Sequence, residues 1–243
     1  SPEMIEKLMR AGADAFRVNM SHGDHETHAA TIAAIREVEK AVGKPVAVLC
    51  DLQGPKLRVG TFKDGKAVIR HSGHFTLDRN PELGDETRVC LPHPELFGVL
   101  RKGQRLLIDD GKVTLRATEV TKDTVTTVVE VAGFVSNNKG INLPGVAVNV
   151  PALSEKDEDD LRWGLRAGAD FIALSFVRNA ADVKDVHAIM DEVGIRVPVI
   201  AKIEKPQAVE NLVEIVAAFD GIMVARGDLG VELPIEDVPM VQK

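Results

Sequence analysis

The sequence is poor in aromatic residues and in cysteine. Its 243 residues include no tyrosine, one tryptophan and two cysteines, Cys50 and Cys90. Two cysteines are too few for a disulfide framework, and these two lack the spacing of a zinc site. Cys50 follows the apolar run 46–49, so we expect a reduced, buried thiol. The single tryptophan, Trp163, is expected to anchor part of a core.

The chain also lacks an excess of positive charge and any long apolar run. Its formal net charge is -7, which gives no electrostatic support for binding nucleic acid or an anionic membrane. No apolar stretch is long enough to span a bilayer, and the N-terminus has no signal-peptide pattern. We therefore predict a cytoplasmic globular protein of one or two domains, with neither nucleic acid nor membrane as a partner.

A unit of helix, Gly or Asp punctuation, and short apolar strand recurs along the chain. Repetition of this unit with short connections predicts right-handed crossovers and a parallel sheet, which is an α/β fold. The recurring strand segments are 11–20, 167–176 and 218–225, preceded by helical patterns at 4–10, 157–166 and 208–217. Two further strands are predicted at 46–50 and 197–201.

The stretch 58–142 has a different pattern, in which alternating β-forming residues dominate. Asp110-Gly111 separates two such runs and predicts a hairpin, and Lys122-Asp123 predicts another turn. We interpret this stretch as a β-rich insertion in the α/β body.

Two apolar runs near the end of the chain, 199–204 and 222–228, finish abruptly in charged residues. The ends of buried parallel strands lie at the rim of a sheet, where α/β folds keep their chemistry. Lys202 and Glu204 are two apart and would point to the same side of a strand. With Asp228 they predict a site for a magnesium ion and a phosphate. The alternative is that Lys202 and Glu204 only neutralise each other or distant charges.

Polar residues also alternate with apolar ones at the end of the first strand. Arg17, Asn19 and Ser21 share one face, which suits a phosphate fork and oxygen ligands, although a solvent-facing edge strand has the same pattern. The segment 51–58 ends the next strand in the same manner, and alone it could be an ordinary Gly-Pro loop.

Two other features favour structural roles. His22, His25 and His28 are spaced by three, but they follow a segment typical of a helix cap, so we interpret them as a solvated helix face and not as a zinc site. Ser154 precedes an acidic segment and is predicted to cap a helix.

Five motifs, in this order and with the β-rich insertion in the expected place, resemble the pyruvate kinase family. They are residues 17–23, 51–56, 139–145, 202–204 and 223–230. The resemblance covers essentially the whole chain and implies a (β/α)8 TIM barrel with an inserted small β-barrel lid domain. It implies a first barrel segment at 1–57, the lid at 58–142 and a second barrel segment at 143–243.

The resemblance implies transfer of a phosphoryl group from phosphoenolpyruvate to ADP, giving pyruvate and ATP. Phosphoryl transfer depends on positioning and charge neutralisation, which suits the charged residues at the predicted rim. The resemblance implies that Lys202 and Arg17 are catalytic and that they bind the substrate together with Ser175 and the amides of Gly227 and Asp228. It implies nucleotide binding by Asn19, Arg58 and Lys139. Glu204 and Asp228 are implied as ligands of Mg²⁺ or Mn²⁺.

One position departs from many family members, which bind K⁺ beside the positions of Asn19, Ser21 and Asp51. Those members carry Glu where this chain has Lys56. A lysine ammonium supplies the same single positive charge and would repel a bound K⁺, so we predict activity without K⁺. The alternative is that Lys56 simply points to solvent.

We find only about five of the eight strands of a barrel. We therefore predict either a part of a longer protein that completes the barrel or a fragment that does not turn over alone. The resemblance implies a homotetrameric parent enzyme. Two other classes stay open. One is a barrel lyase or aldolase that uses phosphoenolpyruvate or pyruvate, and the other is a non-catalytic ligand-binding segment.

Overall fold

The computed structural model describes residues 1–146, 148 and 150–243. These residues form two compact units. The first unit contains Ser1–Pro55 and Pro151–Ala225, and the second contains Lys56–Val150 and Arg226–Lys243.

The secondary structure alternates between helices and strands at both ends of the chain and is mostly β in the middle. The strands are β1 (Ala15–Asn19), β2 (Ala47–Asp51), β3 (Lys66–Ile69), β4 (His74–Asp78), β5 (Arg88–Cys90), β6 (Arg105–Ile108), β7 (Val113–Val120), β8 (Thr124–Val131), β9 (Gly133–Ser136), β10 (Ile141–Asn142), β11 (Phe171–Leu174), β12 (Val199–Ile203) and β13 (Gly221–Val224). The helices are α1 (Pro2–Arg10), α2 (His25–Val42), α3 (Pro94–Val99), α4 (Glu155–Arg166), α5 (Val183–Val193), α6 (Pro206–Glu210), α7 (Leu212–Ala218), α8 (Arg226–Glu232) and α9 (Val238–Gln242), with a 3-10 turn at Ala180–Asp182.

The first unit is built on a parallel sheet with strand order β1-β2-β11-β12-β13. This order follows the chain, so the crossovers all step in the same direction. Such winding is typical of a barrel and differs from a doubly wound sheet, in which the direction reverses. The predicted α/β class, its parallel sheet and the five predicted strands are confirmed, although several strand ends differ from the predicted bounds by a few residues.

The core of this unit explains why the strands form where they do. Val18 and Met20 are buried while the polar residues between and beside them are more exposed, as the alternation predicts. Cys50 is a free, buried thiol, and burial, assisted by the nearby carboxylates of Asp160 and Asp51, raises its pKa to about 12. It is therefore an unreactive core residue.

The helix cap predicted at Ser154 is present in the structure. Ser154 caps α4 through a capping box, in which its hydroxyl accepts from the Asp157 N–H and the Asp157 carboxylate accepts from the Ser154 N–H. The predicted helix 208–217, in contrast, is two helices, because the chain breaks at Asn211, whose backbone leaves the helical region at φ -101° and ψ 18°. The Asn211 side chain donates to the Arg178 carbonyl at 2.9 Å.

The interpretation of the three histidines as a solvated helix face is wrong for His25 and His28, and His22 precedes the helix. Helix α2 begins at His25 with Asp24 as its cap, and His25 lies against α4. Its Nε2 is 2.7 Å from an oxygen of the buried Asp160, and its ring stacks on Trp163 with 4.7 Å between centroids. His28 is only 9% exposed. The packing of α4 against this face is a long-range contact that the local cap pattern does not encode.

The second unit contains a six-stranded sheet of order β10-β6-β7-β8-β4-β5 and the pair β3-β9. Both predicted turns are confirmed: Ile108 pairs with Val113 across the Asp110-Gly111 hairpin, and Val120 pairs with Val125 across the second turn. Its core is aliphatic with phenylalanines such as Phe75. Among the described helices, none has both the length and the apolar character needed to cross a bilayer.

Leu174, at the end of β11, tests the core of the first unit. It is fully buried, so Leu174→Ala should lower the free energy of unfolding by about 2–5 kcal/mol through lost burial and a residual cavity. The matched control is Val213→Ala, at a residue that is 88% exposed, and its effect should stay within about 0.5 kcal/mol. Urea-induced unfolding measures both. Equal effects would contradict the core assignment.

Candidate active site

Three buried ionisable residues lie where β2 and β12 end. Asp51 is the last residue of β2, Lys202 lies near the end of β12, and Glu204 follows that strand. Asp51 and Glu204 are each 1% exposed and Lys202 is 8% exposed. Buried charges of this kind must be paired to be tolerated. The predicted clustering of charge at the strand ends is therefore present in the first unit.

The Lys202 ammonium is at the centre of this cluster. Its Nζ lies 2.9 Å from Glu204 Oε1 and 3.2 Å from Asp51 Oδ1, and it donates to Ser175 Oγ at 2.8 Å. The pairing of Lys202 with Glu204 matches the alternative considered for this motif, and it also leaves a cation and a carboxylate together at the rim.

Burial and the neighbouring carboxylates shift the pKa of Lys202 in opposite directions. Burial acts to lower the pKa, but the charge attraction to Glu204 and Asp51 and the hydrogen bond to Glu204 outweigh it. The pKa is raised above its ordinary value of 10.5. Lys202 is thus a permanently charged group at neutral pH, suited to stabilising negative charge.

Arg17 extends the cluster toward solvent. Its Nε donates to Asp51 Oδ2 at 2.6 Å, while 51% of its side chain remains exposed. Asp51 therefore bridges two cations, Arg17 and Lys202. One of these is accessible to an anionic ligand, and the planar guanidinium is suited to bidentate contact with phosphate oxygens.

Ser175 and Phe176 shape the loop that follows β11. The Ser175 hydroxyl accepts from Lys202 and donates to the Leu52 carbonyl at 2.7 Å. The Phe176 N–H donates to Glu204 Oε2 at 2.8 Å, with Phe176 at a φ of +56°. A positive φ is unfavourable for a phenylalanine, so the surrounding contacts hold this backbone conformation in place.

The residues predicted for a monovalent cation lie at neighbouring strand ends. Asn19 is paired with Asp51 across β1 and β2, and its Oδ1 accepts from the Ser21 N–H at 3.1 Å. The loop after β2 is packed into this unit, because Leu52 and Gly54 are buried and the Gly54 N–H donates to the Asp157 carboxylate. Sequence reasoning missed Asp157, which had only a capping signal.

The remaining predicted residues belong to the second unit. Arg58 donates to the Asn138 carbonyl at 2.9 Å, and Lys139 pairs with Asp109 at 3.1 Å. Lys56 is half-buried. Its stem contacts Gly140, where a Cβ would lie 2.6 Å from Lys56 Cε.

Gly227 and Asp228 lie in the first turn of α8, which begins at Arg226. In sequence, α8 follows β13 directly after Ala225.

A second group of side chains has spacing that could hold a metal ion. Ligand atoms of His25, Asp159 and Asp160 lie within 4.8 Å of one another. Asp160 already pairs with His25 and with the Lys156 ammonium, which also donates to the Met20 carbonyl. These contacts join α4 to α2 and to the loop after β1, and we assign the group a structural role.

Comparison with known proteins gives consistent matches. A family model described as the barrel domain of pyruvate kinase matches residues 1–243. The pyruvate kinase of Methylorubrum extorquens is 52% identical over 243 residues, which is 100% of this chain and 50% of that protein. The pyruvate kinase of Corynebacterium efficiens is also 52% identical over 243 residues, covering 100% of this chain and 51% of that protein. That of Mycobacterium tuberculosis strain H37Rv is 48% identical over 241 residues, covering 99% and 51%. The chain thus spans about half the length of these curated relatives.

Removal of the Lys202 charge tests the pairing in the cluster. Lys202→Met leaves buried carboxylates without their shared cation and should lower the free energy of unfolding at pH 7 by about 3–5 kcal/mol. Because the pKa of Lys202 is raised, its stabilisation is fully present below 10.5 and is lost as pH rises through the higher folded-state value. The difference from wild type should therefore shrink above that pH.

Lys184→Met is the matched control, since Lys184 is exposed on α5, and its effect should stay within about 0.5 kcal/mol. Urea unfolding at neutral and alkaline pH makes the comparison. A Lys202→Met protein as stable as the control would show that the cluster is not an ion-paired unit.

Proposed function

This chain belongs to the pyruvate kinase family, and we propose that the protein containing it transfers a phosphoryl group from phosphoenolpyruvate to ADP. The products would be pyruvate and ATP, as in the last step of glycolysis. The observation that carries this proposal is the buried cation of Lys202, held by Glu204 and Asp51 at the rim of a parallel sheet. A fixed positive charge at a strand rim is what a phosphoryl group in transit requires.

We assign the catalytic charge stabilisation to Lys202 and Arg17. Lys202 is anchored on two sides by carboxylates, so its ammonium needs little reorganisation to face a developing negative charge. Arg17 is anchored to Asp51 at one edge and half exposed, so its outer N–H groups can contact the phosphoryl oxygens. Ser175 would line the substrate pocket and orient Lys202 through its hydroxyl.

On the family resemblance, a divalent cation, Mg²⁺ or Mn²⁺, would be held by Glu204 and Asp228. Glu204 fits this role because its buried carboxylate offers hard oxygen ligands at the rim. When bound, such an ion neutralises phosphate charge and stabilises the enolate oxygen formed when phosphoenolpyruvate loses its phosphoryl group. The chain's own contribution is to fix Glu204 through the Phe176 N–H and Lys202.

The other assignments rest on the family resemblance. The amides of Gly227 and Asp228 would bind the substrate carboxylate, and Asn19, Arg58 and Lys139 would contact the nucleotide phosphates. Residues 1–57 and 143–243 would belong to the barrel. Residues 58–142 would form a lid that excludes water, which otherwise competes with ADP as the acceptor. The complete protein is proposed to act in the cytoplasm as a homotetramer.

Activity of the full-length protein that contains this chain tests the reaction. Pyruvate formed from phosphoenolpyruvate and ADP with Mg²⁺ is followed through a coupled dehydrogenase. Lys202→Met should lower kcat by about 10²–10³-fold because the transition state loses its fixed cation, whereas Lys184→Met should leave it unchanged. Pyruvate formation that does not require ADP would instead support a lyase, and ligand binding without turnover would support a non-catalytic role.

The monovalent cation requirement is a separate prediction. We propose that Lys56 supplies the positive charge that K⁺ provides in many relatives, so replacing Na⁺ with K⁺ at constant ionic strength should change kcat by less than about twofold. Lys56→Glu should create a K⁺ requirement, whereas Lys63→Glu serves as a control at another lysine of the same unit. A strong rate increase by K⁺ in the unsubstituted enzyme would reject the assignment.

A further inference from the structure

We propose that Asp157 is a positioning residue for Lys202 and Glu204, acting through Gly54 and the Ser175–Phe176 turn. The inference rests on the proposed phosphoryl transfer, and it assigns a role to a carboxylate that does not touch the cluster itself. Asp157 lies in the first turn of α4, and its partners Ser154 and Gly54 belong to the same compact unit.

The Asp157 carboxylate is fully buried and accepts hydrogen bonds from two separate segments. Oδ2 accepts from the Ser154 N–H at 2.9 Å and from the Ser154 hydroxyl at 2.5 Å, which is the helix cap. Oδ1 accepts from the Gly54 N–H at 2.9 Å, which lies in the loop after β2. One oxygen therefore serves the helix while the other fixes a loop 103 residues away in sequence. Helix capping accounts only for the first.

The hydrogen bond from Gly54 to Asp157 matters because Gly54 lies against Ser175 and Phe176. Its φ is +77°, and a Cβ at this position would lie 2.8 Å from Ser175 Cβ and 2.7 Å from Phe176 Cδ2. The loop backbone is thus in direct contact with the turn after β11. Only glycine permits both the conformation and the close approach.

The turn pressed against Gly54 carries the contacts that orient the cluster. Ser175 joins the Leu52 carbonyl to Lys202, and the strained Phe176 presents its N–H to Glu204. A shift of the Gly54 loop would release the Phe176 backbone from its unfavourable φ. It would also move the Ser175 hydroxyl, because the Leu52 carbonyl belongs to the same loop. Lys202 and Glu204 would then lose partners that set their directions.

Asp157→Asn removes one of the two oxygen acceptors without changing side-chain size. In either orientation of the amide, its NH₂ group faces an N–H donor, either that of Gly54 or that of Ser154. Ser154→Ala is the matched control, because it removes the hydroxyl bond to the same carboxylate and weakens the same cap. It leaves the bond from Gly54 to Asp157 intact.

The experiment compares the two variants in the full-length enzyme by unfolding and by steady-state kinetics. Both should lose stability. Asp157→Asn should lower kcat by about tenfold or more, with KM for ADP unchanged, because small displacements of catalytic groups are amplified in the rate. Ser154→Ala should keep the wild-type kcat. Equal kcat values for the two variants, together with a wild-type kcat in a folded Gly54→Ala enzyme, would overturn the proposal.

Two further outcomes are distinguishable. If Asp157→Asn does not fold, Gly54→Ala decides, since it keeps Asp157 but forces the loop away from Ser175. A folded Gly54→Ala enzyme with reduced kcat supports the inference, and one with wild-type kcat refutes it. If the wild-type enzyme itself forms no pyruvate from phosphoenolpyruvate and ADP, the proposed function fails and the positioning role fails with it.

Discussion

The burial of two carboxylates around one ammonium is the constraint on which the candidate site depends. Asp51 and Glu204 are almost inaccessible to water, and Lys202 is the cation they share. Removing charges from water is expensive, and an apolar replacement of similar volume is often no less stable. Net stability therefore does not explain why the cluster is present. What the cluster provides is an ammonium group that stays charged and is held at a defined position.

The winding of the sheet explains how distant residues reach this point. Parallel strands in chain order bring their carboxyl ends to one edge, so the residues after β1, β2, β11 and β12 become neighbours. Arg17, Asp51 and Lys202 lie on three of these strands. Arg17 and Asp51 are 34 residues apart in sequence, and Lys202 is much farther from both. Short motifs at recognised strand ends can therefore predict a site even when the structure of the segments between them is not known.

Local patterns predicted well the features that are decided locally. The alternation around Val18, the hairpin at Asp110-Gly111 and the Ser154 cap depend on neighbours in sequence, and the structure contains all three. The exposure of His25 and the continuity of the helix near Asn211 depend on other segments. Trp163 of α4 stacks on His25, and the Asn211 side chain donates a hydrogen bond to the Arg178 carbonyl. Such contacts have no local signal.

The same distinction applies within the site. Lys202 and Glu204 could be predicted because the charge ends an apolar strand, but their orientation is set by Phe176 and by Ser175, which adopt their positions against Gly54. A phenylalanine at positive φ does not choose that conformation by its own preference. The packed loop and the helix cap behind it must impose the conformation, so the positions of the proposed catalytic groups depend on residues that carry no chemistry of their own.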